Sequence, residues 1–90
     1  MKIKIFGKEN CAKCKTTKNK VEFFITKWDA KDKVDVSFHN LDTMDGMVEG
    51  AFHNVLDIPV TLLEKDNHIV ARWDGEIPHS EKLKEHLFQV

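Results

Sequence analysis

Lys2-Ile3-Lys4-Ile5-Phe6-Gly7-Lys8-Glu9-Asn10-Cys11-Ala12-Lys13-Cys14 is the stretch from which the fold can be read. Lys2 to Phe6 alternates lysine with apolar residues at the period of a strand, and Gly7 ends it. Lys8-Glu9-Asn10 reads as a short loop, with Asn10 the expected N-cap of the helix that follows. The only two cysteines then stand two residues apart, where strand gives way to helix. Two thiols at that spacing can close a small, reversible disulfide ring. A cysteine at a helix start also meets the positive end of the helix dipole, which favours thiolate over thiol.

Ninety residues make one domain, 1–90, and 41% hydrophobic with 32% charged residues is the composition of a globular chain. No apolar run approaches the ~20 residues that cross a membrane. The lysines at the N-terminus also break up the continuous apolar stretch that a secretory signal needs. The expectation is a cytoplasmic monomer with no membrane partner. Thiols are kept reduced in that compartment, so a close-spaced pair reads as catalytic or metal-binding rather than as a structural staple.

Net charge is −1 but unevenly spread. Residues 1–33 carry ten lysines against four acids, +6, and residues 34–90 carry four basic residues against eleven acids, −7. Lys8, Lys13, Lys15, Lys18 and Lys20 flank the cysteines. On charge alone they are a solvated helix face; beside a thiol they also stabilise thiolate and attract acidic partners. No aromatic residues interleave with them and the overall charge is near zero, so nucleic acid is not an expected partner.

Val21, Phe24, Ile25 and Trp28 form one apolar stripe at helical period, with Phe23 off the stripe and expected to pack on a neighbouring element. Asp29 to Lys33 is a charged turn. Val34 to Leu41 alternates as a second strand, which leaves His39 on the surface. Thr43 or Asp42 can cap a helix from Met44 to Val55, with Met44, Met47, Val48, Ala51, Phe52 and Val55 along its apolar side and Gly46 and Gly50 weakening it. Ile58 to Leu63 is a strand introduced by Pro59, Asp66-Asn67 a tight turn, and His68 to Trp73 its hairpin partner. Gly75 breaks the chain before a last helix capped by Ser80, on which His86 is expected to be solvated. The order β-α-β-α-β-β-α predicts an α/β fold: a four-stranded mixed sheet with helices on both faces, its first two strands parallel through a right-handed crossover.

With Cys11-Ala12-Lys13-Cys14 at the first strand–helix junction, Ile58-Pro59 before the third strand and Gly75 before an amphipathic last helix, the chain resembles the thioredoxin-like superfamily, its glutaredoxin-sized members in particular. The resemblance covers nearly the whole chain and implies a thioredoxin-like fold with a cis-Pro59 opposite the cysteines. It also implies substrate binding at Ile58, Pro59, Asp74 and Gly75, the backbone of Ile58 pairing with an extended substrate segment. Trp73-Asp74-Gly75-Glu76-Ile77-Pro78 looks like the W-x-G-x-x-P segment of small redoxins that reduce ribonucleotide reductase. The chain departs from the pattern at Asn10, where thioredoxins have tryptophan, and at Ala12-Lys13, which replaces both Gly-Pro and Pro-Tyr. Ile5 stands where thioredoxins bury an acid, and the full glutathione-holding pattern of glutaredoxins is missing.

The expected activity is dithiol–disulfide exchange on protein disulfides. Cys11 attacks as thiolate, Cys14 resolves, and an upstream thioredoxin reductase or glutathione returns the electrons. Lys8, Lys13 and Lys15 are the expected thiolate-stabilising residues, and the Cys11 pKa should lie below the free value of ~8.5 with that of Cys14 above it. No cofactor is called for. A glutathione-dependent glutaredoxin is the near alternative, and a metal site or a non-catalytic adaptor the distant ones. A zinc site would need two ligands beyond Cys11 and Cys14, and the five histidines stand at no short ligand spacing from one another.

Overall fold

The structure, a computed structural model, describes residues 1–88. The elements are β1 (Lys2–Gly7), α1 (Ala12–Lys27), β2 (Asp35–Asn40), α2 (Met44–Phe52), β3 (Val60–Lys65), β4 (His68–Asp74) and α3 (Ser80–Leu87). They form one sheet of order β2-β1-β3-β4. β1 and β2 run parallel, β1 pairs antiparallel with β3, and β3 antiparallel with β4 through a bulge at Leu63/Glu64. The expected order and mixed sheet are both present.

Alternation along the central strands puts a core on each face. Ile3, Ile5 and Leu63 pack with Val21 and Ile25 of α1 and Leu83 of α3. Phe6, Val60 and Leu62 form the other cluster with Leu41 and Val55, under α2. β1 is buried on both sides because it lies between β2 and β3 and is covered by helices above and below. Phe24 and Trp28 continue the α1 stripe and stack at 4.9 Å, whereas Phe23 is exposed and meets only Phe24 edge-on among the aromatic rings.

Local chemistry moves several boundaries. α1 is capped by Cys11 and not by Asn10: Cys11 is extended, and its sulfur accepts the Cys14 N–H. α2 is capped by Thr43, whose hydroxyl accepts from Gly46 N–H and donates to the Asn40 carbonyl. It stops at Phe52, short of the expected Val55, because Asn54 turns left-handed (φ 53°) and the Val55 N–H returns to the Gly50 carbonyl. Asp29 closes α1 in the same way, with Ala30 N–H on the Ile25 carbonyl. Asp66 and Asn67 both have positive φ, as a two-residue hairpin turn requires. At α3 the cap position falls on His79, and Ser80 is already helical.

Most of the apolar side of α2 faces solvent and not the sheet. Met44, Met47, Val48 and Phe52 are 72, 51, 62 and 78% exposed, while Gly46 and Gly50 are buried. A Cβ at Gly46 would overlap the Asn40 carbonyl, and one at Gly50 would come 2.8 Å from Leu41 Cδ2. The glycines are therefore the contact face, and they let α2 lie directly on the β2 end.

His39 is half-buried rather than on the surface, its ring stacked on Phe6 at 4.9 Å. Burial lowers its pKa below the usual 6.5; Glu49 pulls the other way, and Lys4 and His53 add to the lowering. The unfolded chain therefore binds more protons than the folded one as pH falls below 6.5, and the stability contributed by neutral His39 is present above that pH and lost beneath it. Urea unfolding midpoints should drop between pH 7 and pH 5, and His39→Phe should flatten that slope. An unchanged slope in His39→Phe would exclude His39 as its source.

Candidate active site

Cys11 and Cys14 are joined by a disulfide across the first turn of α1, with their Cα atoms 5.2 Å apart. The two sulfurs differ in access: Cys11 is half-buried, and Cys14 is fully buried. Cys14 reaches its depth because β1 ends in Gly7, where a Cβ would sit 2.6 Å from the Cys14 sulfur and 2.7 Å from its Cβ. Gly7 is thus the seat of the buried sulfur as well as the last strand residue, a role that no local pattern announces.

Gly7 lies one residue past the Phe6–Val60 pair, which brings the β3 entry alongside the cysteines. That entry is the Ile58-Pro59 peptide, and it is cis, as the resemblance implies. The Pro59 carbonyl accepts the Gly75 N–H at 2.8 Å, and the Gly75 carbonyl accepts from Lys13 Nζ at 2.6 Å. Lys13, Gly75 and Pro59 therefore form one hydrogen-bonded chain from the cysteine turn to the β3–β4 end of the sheet. Gly75 holds φ +68°, a backbone region costly for residues with a Cβ, and its Cα faces Asp57.

The structure brings Cys11, Cys14, Lys13, Pro59 and Gly75 together. Lys8 is tied in through its backbone, its carbonyl accepting the Cys11 N–H, while its side chain and that of Lys15 are exposed. Asp74 is engaged elsewhere: both carboxylate oxygens accept from Arg72 Nε. Ile58 lines a groove of about 670 Å³ with Lys8, Leu41, Met47 and Leu56. Lys20, one of the flanking lysines, donates to the Pro78 carbonyl and so pins the segment after Gly75 onto α1. In Trp73-Asp74-Gly75-Glu76-Ile77-Pro78, Trp73 packs on the α1 core and meets His86 edge-on, and Pro78 is buried. His86 is therefore half-buried, against the expectation that it is fully solvated. Ile5, at the position of the missing acid, is a fully buried core residue.

Among the described residues no three His, Cys, Asp or Glu side chains converge as a metal site, and no helix is long and apolar enough to cross a membrane.

No protein-family model matches the sequence. No curated protein matches it either. Solved structures do. Thioredoxin 1 of Thermosipho africanus aligns over 97% of this chain and 94% of its own, with TM-score 0.76 and 19% identity. Thioredoxin O2 of Arabidopsis thaliana, in its oxidized state, aligns over 98% and 75% with TM-score 0.81 and 16% identity. Fasciola hepatica thioredoxin aligns over 96% and 76% with TM-score 0.74 and 22% identity. With its strand order, its cis-Pro59 and its disulfide at the start of α1, this chain has the thioredoxin fold.

Proposed function

We propose that the protein is a small dithiol–disulfide oxidoreductase that reduces protein disulfides through Cys11 and Cys14. The observation that carries the reading is the unequal burial of two bonded sulfurs at one helix N-terminus. Cys11, the accessible one, receives the Cys14 N–H at 3.1 Å and the start of the α1 dipole, both of which favour its thiolate. Cys14, shielded on Gly7, cannot meet a substrate first but stands next to Cys11 to resolve the mixed disulfide.

Exposed lysines at 8 and 15 add positive charge around this end of α1. Lys13 supports the site differently, by holding Gly75 and through it Pro59. Ile58, at the mouth of the adjoining groove, and Gly75 are the backbone positions offered to an extended substrate segment; Asp74 serves by orienting Arg72. As proposed, the protein works in the cytoplasm as a monomer fed by thioredoxin reductase or by glutathione.

The test is insulin disulfide reduction by dithiothreitol with and without the protein, where acceleration is expected and none would remove the reading. Reduction of the oxidised protein by NADPH with thioredoxin reductase, set against reduction by glutathione, then names the electron source. With the glutathione-holding pattern missing from the sequence, thioredoxin reductase is the expected donor.

A further inference from the structure

Any protein that forms a mixed disulfide with Cys11 must cover the surface around it, and that surface is sharply two-sided. On the α2 side the groove past Ile58 is lined by Met47 and Leu56, the latter 88% exposed, and the same helix also carries Met44, Val48 and Phe52 exposed. Soluble monomers rarely leave large contiguous apolar patches open, and such patches mark binding sites. On the α1 side a cleft of about 240 Å³ is lined by Lys8, Lys15, Lys18, Phe38 and Asn40, with Glu9 its single acid. Lys18 lies over the Phe38 ring at 5.4 Å, which fixes its ammonium at the cleft wall. Lys8 borders both depressions, and its carbonyl accepts the Cys11 N–H, so the residue they share is hydrogen-bonded to the reactive cysteine.

We infer that the partner disulfide lies in a segment that is apolar on one side of its cysteine and acidic on the other. The apolar side chains lie along α2, and the carboxylates in the Lys8–Lys15–Lys18 cleft. This rests on the exchange reading and adds the substrate class to it. The Cys11 thiolate attacks the partner's sulfur, forming the Cys11–partner disulfide and expelling the partner's second sulfur as thiolate. The Cys14 thiolate then attacks Cys11, restoring the 11–14 disulfide and releasing the partner's first sulfur. Two electrons pass to the partner, and the two protons of the dithiol go to the released thiolates through solvent. Charge complementarity acts mainly on encounter with the partner and is screened by salt.

The experiment uses the full reduced protein and cysteine peptides carried as mixed disulfides with thionitrobenzoate, whose release is read by absorbance. Peptides with apolar residues on one flank and acidic, neutral or basic residues on the other form the panel. The acidic peptide is expected to react at least tenfold faster than the basic one at low ionic strength, with the difference shrinking in high salt. Lys18→Glu should abolish that preference. Leu56→Ser, on a side chain already in solvent, should slow only peptides with the apolar flank. Equal rates for acidic and basic peptides, or a preference untouched by Lys18→Glu, would overturn the inference.

Bis(2-hydroxyethyl) disulfide, neutral and without flanks, separates the two levels. Its reduction alongside a flat peptide panel sinks the partner assignment alone, and failure to react with it sinks the exchange reading. Sedimentation of the protein checks the other occupant of the α2 face. A dimer that Leu56→Ser returns to monomer would mean that a second copy, and not a substrate, covers that face.

Discussion

Gly7→Ala is expected to lower stability by about 1–3 kcal/mol, the usual cost of forcing extra carbon into a packed interior. In a domain of this size each kcal/mol corresponds to a Tm loss of roughly 4–8 °C. The methyl group would sit 2.6 Å from the Cys14 sulfur and 2.7 Å from its Cβ, and Cys14 is fully buried, so the first turn of α1 must move. Intrinsic propensity argues the other way, since glycine inside a strand costs about 0.5–1 kcal/mol relative to alanine. The steric term is larger, and the net sign is a loss. Thermal unfolding of the oxidised protein measures it. A Tm equal to or above that of the parent would show that α1 lifts off β1 freely and that Gly7 is a propensity position only. Because the displaced turn carries the Cys11 cap, resolution by Cys14 should slow in the same variant.

Cys14→Ser is expected to stop turnover at the mixed disulfide. Cys11 keeps its half-buried place at the start of α1 and still attacks, but no second sulfur is present to release the partner. With no dithiothreitol present, the protein should accumulate as a mixed disulfide whose mass is its own plus that of the bound thiol less two hydrogens, and in the insulin assay catalysis should fall to the dithiothreitol background. Mapping the adduct to Cys11 confirms the attacking residue, and a Cys11→Ser variant, whose one remaining thiol at Cys14 is fully buried, should form none. Continued turnover by Cys14→Ser would exclude the two-cysteine route. Serine leaves a polar oxygen on the buried Gly7 seat, so Cys14→Ala serves as the companion variant that removes this cost.

Much of the fold was legible because its signals are local. Ile3, Ile5 and Phe6, the Val21–Trp28 stripe, the Asp66-Asn67 turn and the Cys11–Cys14 spacing each depend on residues a few positions apart. Periods of two and near four, and residues that tolerate positive φ, carry the order β-α-β-α-β-β-α without reference to any partner. The cysteine pair and its place at a helix start belong to the same class, and so does the proline that opens β3. The shift of the α1 cap from Asn10 to Cys11 moved a boundary by one residue and left the site in place.

What sequence reading missed consists of contacts between segments far apart in the chain. The spacing of Met44, Met47, Val48 and Phe52 gives α2 an apolar side but does not say which side meets the sheet. The orientation was decided instead by how closely the helix backbone can approach Asn40 and Leu41, which only Gly46 and Gly50 permit. Gly7 read as a strand end, while its bare Cα is what Cys14 packs against. Lys13 and Lys20 read as a solvated face near the thiols, yet their ammonium groups reach the carbonyls of Gly75 and Pro78, 62 and 58 residues away. The amino-acid order thus dictated which elements form and where the thiols stand, since those follow from periodicity and spacing. Folding settled which face of α2 meets solvent, what shields the Cys14 sulfur and which lysines brace the site, because each is a distance between atoms brought together by the sheet.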